Sequence, residues 1–179
     1  MLKGTDMDQQ MTHLVQQRQS EICDALSTID GTGFITDNWN RENGGGGISC
    51  VLQNGDVFEK AGVNSSIVQG NIQKDEAPMF QQLLSHQNHI WDGQSQADFF
   101  ATGVSLVIHP KNPMVPTVHA NFRYFQVEFD GQCVWWFGGG AANAAVDAEP
   151  AGNGLLSIAP APATVARDPT NAPARDPLR

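Results

Sequence analysis

The sequence has 179 residues, of which 40% are hydrophobic, and a formal net charge of −9. This length is enough for one domain with a buried core. The acidic balance argues against a broad nucleic-acid or anionic-membrane surface, because binding phosphates needs clustered Lys and Arg. An acidic small molecule would instead need a local basic pocket, so each Arg of the core sequence is a candidate ligand-binding group.

The N-terminus and the cysteines bear on the compartment. The first ten residues lack an apolar signal core and are too acidic for a transit peptide, and no apolar run reaches the length of a membrane span. These features predict a cytoplasmic protein. Cys23, Cys50 and Cys133 are odd in number and widely spaced, which favours free buried thiols over a disulfide framework or a zinc site.

Hydrophobic spacing divides the chain into helices and strands. Asn54-Gly55 and Asp130-Gly131 mark two hairpin turns, the first of them predicted to be of type I′. In chain order the pattern predicts a helix within 1–31, a loop over 32–47, strands over 48–53, 56–60 and 63–68, a short helix over 77–86, and strands over 99–108, 117–129 and 132–137, with 138–140 closing the second hairpin.

The predicted elements are several strands joined by hairpins, with helices before and between them. Since strands and helices do not alternate as they do in parallel sheets, the predicted class is α+β, with a mainly antiparallel β-sheet flanked by helices. From Ala141 onward Ala and Pro dominate and periodicity disappears. Residues 141–179 are therefore predicted to be a disordered tail, because they bury too little apolar surface, and the ordered domain is predicted over residues 1–140.

The predicted strand Thr117–Phe129 carries most of the chemistry. Because side chains alternate between the faces of a strand, His119, Asn121 and Arg123 share one face at a spacing of about 7 Å. They combine a proton-transfer group, an amide and a planar cation that suits carboxylates. The same face then becomes apolar, which suits a ligand that is both apolar and anionic.

A second strand could contribute to this pocket. Ser105 and His109 lie on one face at the end of the strand predicted over 99–108, and they would border the pocket if this strand pairs with Thr117–Phe129. Two alternatives stay open. The polar face of Thr117–Phe129 could be solvated and without function, and His109, which precedes a proline, could simply end its strand.

Three longer segments resemble a known family. The stretches GGGGISCVLQNGDVFEKAGVN (44–64), FFATGVSLVIHPKNPMVPTVHANFRYF (99–125) and WWFGGG (135–140) closely resemble signature stretches of the oxygen-dependent coproporphyrinogen III oxidases. The resemblance implies that family's antiparallel sheet and its reaction in haem biosynthesis. In that reaction O2 oxidatively decarboxylates two propionates of coproporphyrinogen III to vinyl groups, giving protoporphyrinogen IX and releasing carbon dioxide and hydrogen peroxide.

The resemblance also implies roles for individual residues. Ser105 resembles the family's substrate-contacting serine, and His119 resembles its catalytic proton donor. The tripeptide Asn121-Phe122-Arg123 resembles its substrate-binding tripeptide. His109 and His119 resemble histidines that bind a metal in bacterial members.

Cofactors and partners follow from the same resemblance. The family needs no organic cofactor and uses O2 as co-substrate, and some bacterial members are described with a divalent metal such as manganese. Its members are homodimers, and the expected small-molecule partner is coproporphyrinogen III. Neither nucleic acid nor a membrane is an expected partner.

The sequence departs from the family after WWFGGG. The family's aspartate, which faces the pyrrole nitrogens, would fall at Ala142, and the family's second half, including its dimer-forming segment, has no counterpart. The tail over 141–179 resembles out-of-frame translation or a mis-predicted gene. These departures predict little or no turnover by this chain and argue against a homodimer.

Three functions compete at this point. The first is the oxidase of the family, and the second is an inactive truncated fragment that at most binds porphyrinogen. The third is a β-sheet carrier of the lipocalin kind. The long matching segments count against the carrier, whereas the missing aspartate favours the second function over the first for this chain.

Overall fold

A computed structural model describes residues 6–42, 44–144, 156–158 and 162–165. Among these residues, α1 (Asp6–Asp30) and α2 (Ala77–His86) accompany an eight-stranded sheet in which every strand pair is antiparallel. The prediction of an α+β fold with an antiparallel sheet is confirmed. The strands are β1 (Ile35–Asn40), β2 (Gly45–Gln53), β3 (Phe58–Asn71), β4 (Ala97–Pro110), β5 (Thr117–Phe129), β6 (Gln132–Ala144), β7 (Leu156–Ile158) and β8 (Pro162–Val165).

The strands lie side by side in the order in which they occur in the chain. This order runs from β1 to β7, and β8 also pairs with β6. The hairpin between β5 and β6 turns at Asp130 and Gly131, which both have positive φ, 48° and 71°, as a type I′ turn requires. Consecutive pairing brings β3, β4, β5 and β6 together as neighbours, and the candidate site lies on these four strands.

The β2–β3 hairpin is confirmed, but its predicted type I′ turn is wrong. Asn54 has a φ of 55°, whereas Gly55 is not among the residues with positive φ. The connection spans residues 54–57, and the Asn54 N–H donates to the Glu59 carbonyl at 2.9 Å. A longer loop forms because a helix residue, Asp30, binds the backbone of this turn.

Asp30 fixes the hairpin to the end of α1. Its carboxylate accepts hydrogen bonds from the backbone N–H groups of Asp56, Val57 and Phe58, at 3.1, 3.0 and 2.7 Å. Burial raises the pKa of Asp30, but these three donors outweigh burial and leave the pKa below its ordinary value. The helix and the hairpin are therefore held together by a buried carboxylate.

The two helices cover opposite faces of the sheet. α1 packs on the face formed by alternate residues of β2, β3 and β4, and its core contains Val15, Cys23, Leu26, Cys50, Leu52, Phe58, Ala61, Val63 and Val104. α2 packs on the other face, and its core contains Ala77, Phe80, Leu84, Trp91, Ala97, Val127, Phe129, Val134 and Trp136. The α2 core occupies one end of β4, β5 and β6 and leaves the other end of that face uncovered by described elements.

The loop predicted over 32–47 is wrong, because β1 and the start of β2 occupy most of it. Trp39 explains one glycine of this segment, Gly47. A Cβ atom at Gly47 would lie 2.4 Å from the Trp39 indole, and the indole N–H donates to the Ser49 hydroxyl at 3.2 Å. Gly47 makes room for an aromatic ring on a strand, whereas composition alone makes this glycine run look like a loop.

The end of the predicted domain also differs from the structure. β6 continues to Ala144, past the boundary predicted at residue 140. Within the predicted tail, β7 pairs with 139–141 and β8 with 133–136, so these short stretches are strands. The other tail residues lie outside the described residues, and their disorder stays a prediction.

Two further predictions concern the cysteines and the helices. All three cysteines are buried, and none of them forms a disulfide within the described part of the chain, as predicted. Cys23 lies beside Cys50, and burial together with this neighbour raises the Cys23 pKa to about 12. Neither described helix combines the length and the apolar character that crossing a membrane requires.

Candidate functional site

Four strands present a polar surface on the face opposite α1. We call it the open face, and it consists of Lys60, Gly62, Asn64, Ser66, Gly103, Ser105, Val107, His109, Thr117, His119, Asn121, Arg123, Gly138, Gly140 and Ala142. The pairing register of β3 with β4, β4 with β5 and β5 with β6 puts these side chains on one side of the sheet. His119 and Arg123 are exposed, and Asn121 is half-buried. The predicted alignment of these three groups on one face is present.

The open face is organised in rows that cross the strands. In one row Asn64, Ser105, Asn121 and Gly140 are direct partners on successive strands. Adjacent strands are about 5 Å apart, so the row presents amide, hydroxyl and amide groups at short intervals. Ser105, predicted from sequence to border the pocket, is the direct partner of Asn121.

A second row explains how Arg123 is held. Gly103 pairs with Arg123 on one side and Ser66 on the other. A Cβ atom at Gly103 would lie 2.9 Å from Cγ of Arg123 and 2.6 Å from the Phe122 carbonyl oxygen. The stem of Arg123 therefore lies over a position that only glycine fills without displacing it.

The open face includes a cleft that changes from polar to aromatic. It has a volume of about 370 Å³, and its lining includes Asn64, Ser66, Ser105 and Arg123. Its other end is formed by Phe99 and Phe125, whose rings stack at 6.2 Å and 9°. Ligand pockets typically combine an apolar wall with a few polar groups, so this cleft suits a ligand with an apolar body and anionic substituents.

The polar side chains of this face are available to a ligand. Within the described residues, no hydrogen bond involves the side chain of Asn64, Ser105, His119, Asn121 or Arg123. Each of them is exposed or half-buried, so water can satisfy it when no ligand is bound. A carboxylate that approached Arg123 and Asn121 would displace water and would break no hydrogen bond between the residues that the structure describes.

Phe122 is not brought together with its neighbours in the predicted tripeptide. It lies on the α1 face, where it is 47% exposed. There it lines a different cleft of about 390 Å³ between α1 and the sheet, together with Leu14 and Phe137. Its assignment as a substrate-binding residue stays a prediction, and a ligand on the open face would not contact its ring.

The two predicted metal ligands, His109 and His119, both lie on the open face. Thr117 Oγ1 lies 3.3 Å from Nδ1 of His109, and Lys60 is the direct cross-strand partner of His109. The described residues contain no group of three or more His, Cys, Asp or Glu that could share a metal ion. Manganese favours carboxylate and carbonyl oxygens, so these two imidazoles beside a lysine do not fit a manganese centre. The metal stays a prediction.

Ala142 is the direct cross-strand partner of His119. This is the position where the family resemblance implied an aspartate. Directly paired side chains are within interaction distance, so a carboxylate at 142 would lie beside the imidazole. The departure from the family therefore falls at the neighbour of the predicted proton donor.

Sequence reasoning missed Asn64 and Ser66. Both belong to β3 and line the cleft with Arg123. A weak signal was present, since the apolar Ala61 and Val63 alternate with Lys60 and Asn64. The neighbour of β3 had to be known before this alternation could be connected with Arg123.

The chain was compared with proteins of known family. The family model for coproporphyrinogen III oxidase matches residues 10–145. The oxygen-dependent coproporphyrinogen-III oxidase of Homo sapiens, named as mitochondrial, is 50% identical over 137 residues, which cover 75% of this chain and 30% of the relative. The Drosophila melanogaster enzyme is 49% identical over 138 residues, covering 75% and 34%, and that of Prochlorococcus marinus strain NATL1A is 49% identical over 131 residues, covering 72% and 33%.

These matches span the elements that form the open face. Residues 10–145 include β3 to β6 and therefore the whole set of predicted site residues. The chain spans about a third of the length of the curated relatives it matches. On the extent of the family match and the level of identity, this chain belongs to the coproporphyrinogen III oxidase family.

Proposed function

We propose that the open face binds coproporphyrinogen III and that this chain serves its oxygen-dependent oxidation to protoporphyrinogen IX. In that reaction two propionates lose carbon dioxide and become vinyl groups, and O2 accepts the electrons and leaves as hydrogen peroxide. The observation that carries the proposal is that His119, Asn121, Arg123 and Ser105 share one face of the sheet, at the end that no described element covers. The names of the relatives, all oxygen-dependent coproporphyrinogen-III oxidases, support the substrate and the oxidant.

Each group has a chemical task in this proposal. Arg123 and Asn121 hold a propionate carboxylate through charge-assisted hydrogen bonds. Phe99 and Phe125, at the aromatic end of the cleft, contact the apolar macrocycle. His119 exchanges a proton with the bound substrate, since an imidazole can act as acid or base near neutral pH.

The test is an assay with coproporphyrinogen III prepared and handled anaerobically, to which O2 is then added. Formation of protoporphyrinogen IX above the rate without protein supports the proposal, and His119→Ala should reduce that rate by roughly 100-fold or more. Asn121→Ala and Arg123→Ala should chiefly raise the substrate concentration needed for half-maximal rate. If His119→Ala keeps the wild-type rate, the proton-transfer role is wrong.

A second candidate function is porphyrinogen binding without turnover. Ala142 favours it, because the direct partner of His119 is a methyl group where the resemblance implied a carboxylate. Binding by the wild-type chain with no product, followed by product formation in Ala142→Asp, would support this second function. Turnover by the wild-type chain at a rate that Ala142→Asp does not change would reject it.

The remaining properties are proposed more generally. The family resemblance implies a homodimer, whereas the departure of the sequence after WWFGGG argues against one for this chain, and sedimentation with and without substrate decides between the two. The sequence predicts the cytoplasm, whereas the names of the rat, human and mouse relatives assign those proteins to mitochondria. A fluorescent fusion in the cell of origin would decide between the two compartments.

A further inference from the structure

β3 and β5 carry matching polar pairs on either side of β4. Asn64 and Ser66 of β3 are two residues apart, as are Asn121 and Arg123 of β5. The pairs lie in the same two rows, because Asn64 and Asn121 both pair with Ser105, while Ser66 and Arg123 both pair with Gly103. The open face therefore has two polar edges with a serine and a glycine between them.

The β3 pair faces the same cleft as Arg123. Asn64 and Ser66 both line it, and Asn64 is exposed while Ser66 is half-buried. Among the described residues, no side-chain hydrogen bond engages either of them, because the bond from the Thr102 hydroxyl goes to the Ser66 backbone carbonyl. Both side chains can donate to an anion, the amide through N–H and the serine through O–H.

The spacing of the two edges suits a flat ligand with anionic groups on its rim. β3 and β5 are two strand spacings apart, or about 10 Å. Gly103 adds no side chain of its own in that row, and the stem of Arg123 lies over it. A planar body that crosses β4 there would therefore rest on this stem. A single carboxylate held by Arg123 is too small to reach Asn64 as well. To contact both residues, a ligand must carry a second carboxylate.

We propose that Asn64 and Ser66 form a second carboxylate-binding subsite, which holds a different propionate of the substrate from the one held by Arg123. This inference rests on the proposed function and adds a recognition site to it. The first edge supplies a fixed positive charge, whereas the second supplies only neutral donors. Neutral donors to a charged acceptor are weaker than a paired guanidinium, so Arg123 anchors the ligand and the β3 edge sets its orientation.

The test is a fluorescence titration of the full chain with coproporphyrin III, the air-stable macrocycle with the same four propionates. Asn64→Ala should weaken binding about 10-fold, since one donor to a charged group is lost. Asn64→Asp should weaken it further, roughly 30-fold or more, because a carboxylate then faces a carboxylate. The matched control is Gln53→Ala, which removes an exposed carboxamide from the neighbouring strand, opposite Lys60, and should leave the affinity unchanged.

Combining variants tests whether the two edges bind different carboxylates. The effects of Asn64→Ala and Arg123→Ala on the binding free energy should add, because the groups contact separate parts of the ligand. Unchanged thermal midpoints in all variants show that they are folded.

Wild-type affinity in Asn64→Ala together with weak binding in Arg123→Ala would overturn the second subsite and leave the proposed function standing. Tighter binding by Asn64→Asp would overturn the assignment of a carboxylate to this edge, and failure of the wild-type chain to bind any porphyrin would overturn the proposed function with it.

Discussion

The two faces of the sheet use polar side chains in different ways. On the α1 face, Gln19 is 3% exposed and fully engaged: its amide donates to the Ile48 and Val63 carbonyls, both at 2.8 Å, and its carbonyl accepts from the Ser65 hydroxyl at 2.6 Å. On the open face, Asn121 and Arg123 make no such bond within the described residues. Similar residue types therefore serve internal bonding on one face and remain available on the other.

The difference follows from solvent access. A polar group that is removed from water must find an internal partner, because an unpaired buried donor or acceptor is costly. Tyr124 on the α1 face is a second buried polar group with an internal partner. Its hydroxyl donates to Gln126 at 2.6 Å, and burial raises the Tyr124 pKa. An exposed polar group is hydrated by water, has no such energetic cost, and stays available to bind a ligand. Substitutions on the α1 face should therefore reduce stability, and those on the open face should reduce binding.

The largest expected effect is that of Gln19→Ala. The change leaves two strand carbonyls and the Ser65 hydroxyl without their partner in a buried site, so the free energy of unfolding should fall by about 3 kcal/mol. Urea denaturation followed by circular dichroism measures it. Gln17→Ala is the matched control, because Gln17 is exposed on the same helix and its one side-chain hydrogen bond within the described residues goes to Glu21. This change should lower the free energy of unfolding by about 0.5 kcal/mol or less. Equal effects of the two changes would contradict the distinction between the faces.

Arg123→Ala should produce the opposite result. Arg123 is exposed and lacks an internal partner among the described residues, so the free energy of unfolding should change by only about 0.5 kcal/mol. Affinity for coproporphyrin III should fall by about 2 kcal/mol, or roughly 30-fold, because a charge-assisted contact is lost. Parallel titration and urea denaturation separate the two effects. A large loss of stability with unchanged affinity would show that the open face is a structural surface.

Gly103→Ala should affect both properties to a smaller extent. The added methyl group meets the Phe122 carbonyl oxygen and the stem of Arg123, so the backbone must shift, at a cost of about 1–2 kcal/mol in stability. Displacement of Arg123 should weaken porphyrin binding by about 10-fold. Gly62→Ala is the control for stability, since nothing lies within 4 Å of a Cβ atom at that position on the same face. If both glycines tolerate alanine equally, Gly103 does not position Arg123.

The sequence alone predicted the helices and strands whose hydrophobic pattern is contained in a short stretch of chain. α2 and β5 begin and end at the predicted residues, because their hydrophobic spacing and flanking turns are read within a short window. β1 could not be found in this way, since its six residues are mostly exposed and polar. Its strand conformation comes from pairing with β2 and from the packing of Trp39 over Gly47, and both are contacts between distant residues.

The candidate site was predictable along a strand but not across strands. Alternation alone put His119, Asn121 and Arg123 on one face, and it put Phe122 on the other. The register that aligns Ser105 with Asn121, and Asn64 with Ser105, depends on how the strands are connected, and the connection between β3 and β4 contains α2. The role of Gly103 is likewise invisible in the sequence, because it depends on the side chain opposite.

The smallest expected effect is a pH dependence confined to the α1 side, which comes from Asp30. Because hydrogen bonds from Asp56, Val57 and Phe58 leave its folded pKa below the ordinary value of 3.8, the ionised carboxylate stabilises the folded state at any pH above that value. This contribution should be lost as the pH falls from about 3.8 through the lower folded pKa.

Urea midpoints measured from pH 7 to pH 2.5 should therefore decline at the acid end, and the decline should be shallower in Asp30→Asn, which cannot titrate. At pH 7 the same variant should be less stable than the wild type, since an amide is a weaker acceptor for three N–H groups than a carboxylate. If Asp30→Asn keeps the wild-type acid profile, the connection between α1 and the hairpin does not depend on this charge. The α1 face would then owe its stability to apolar packing alone.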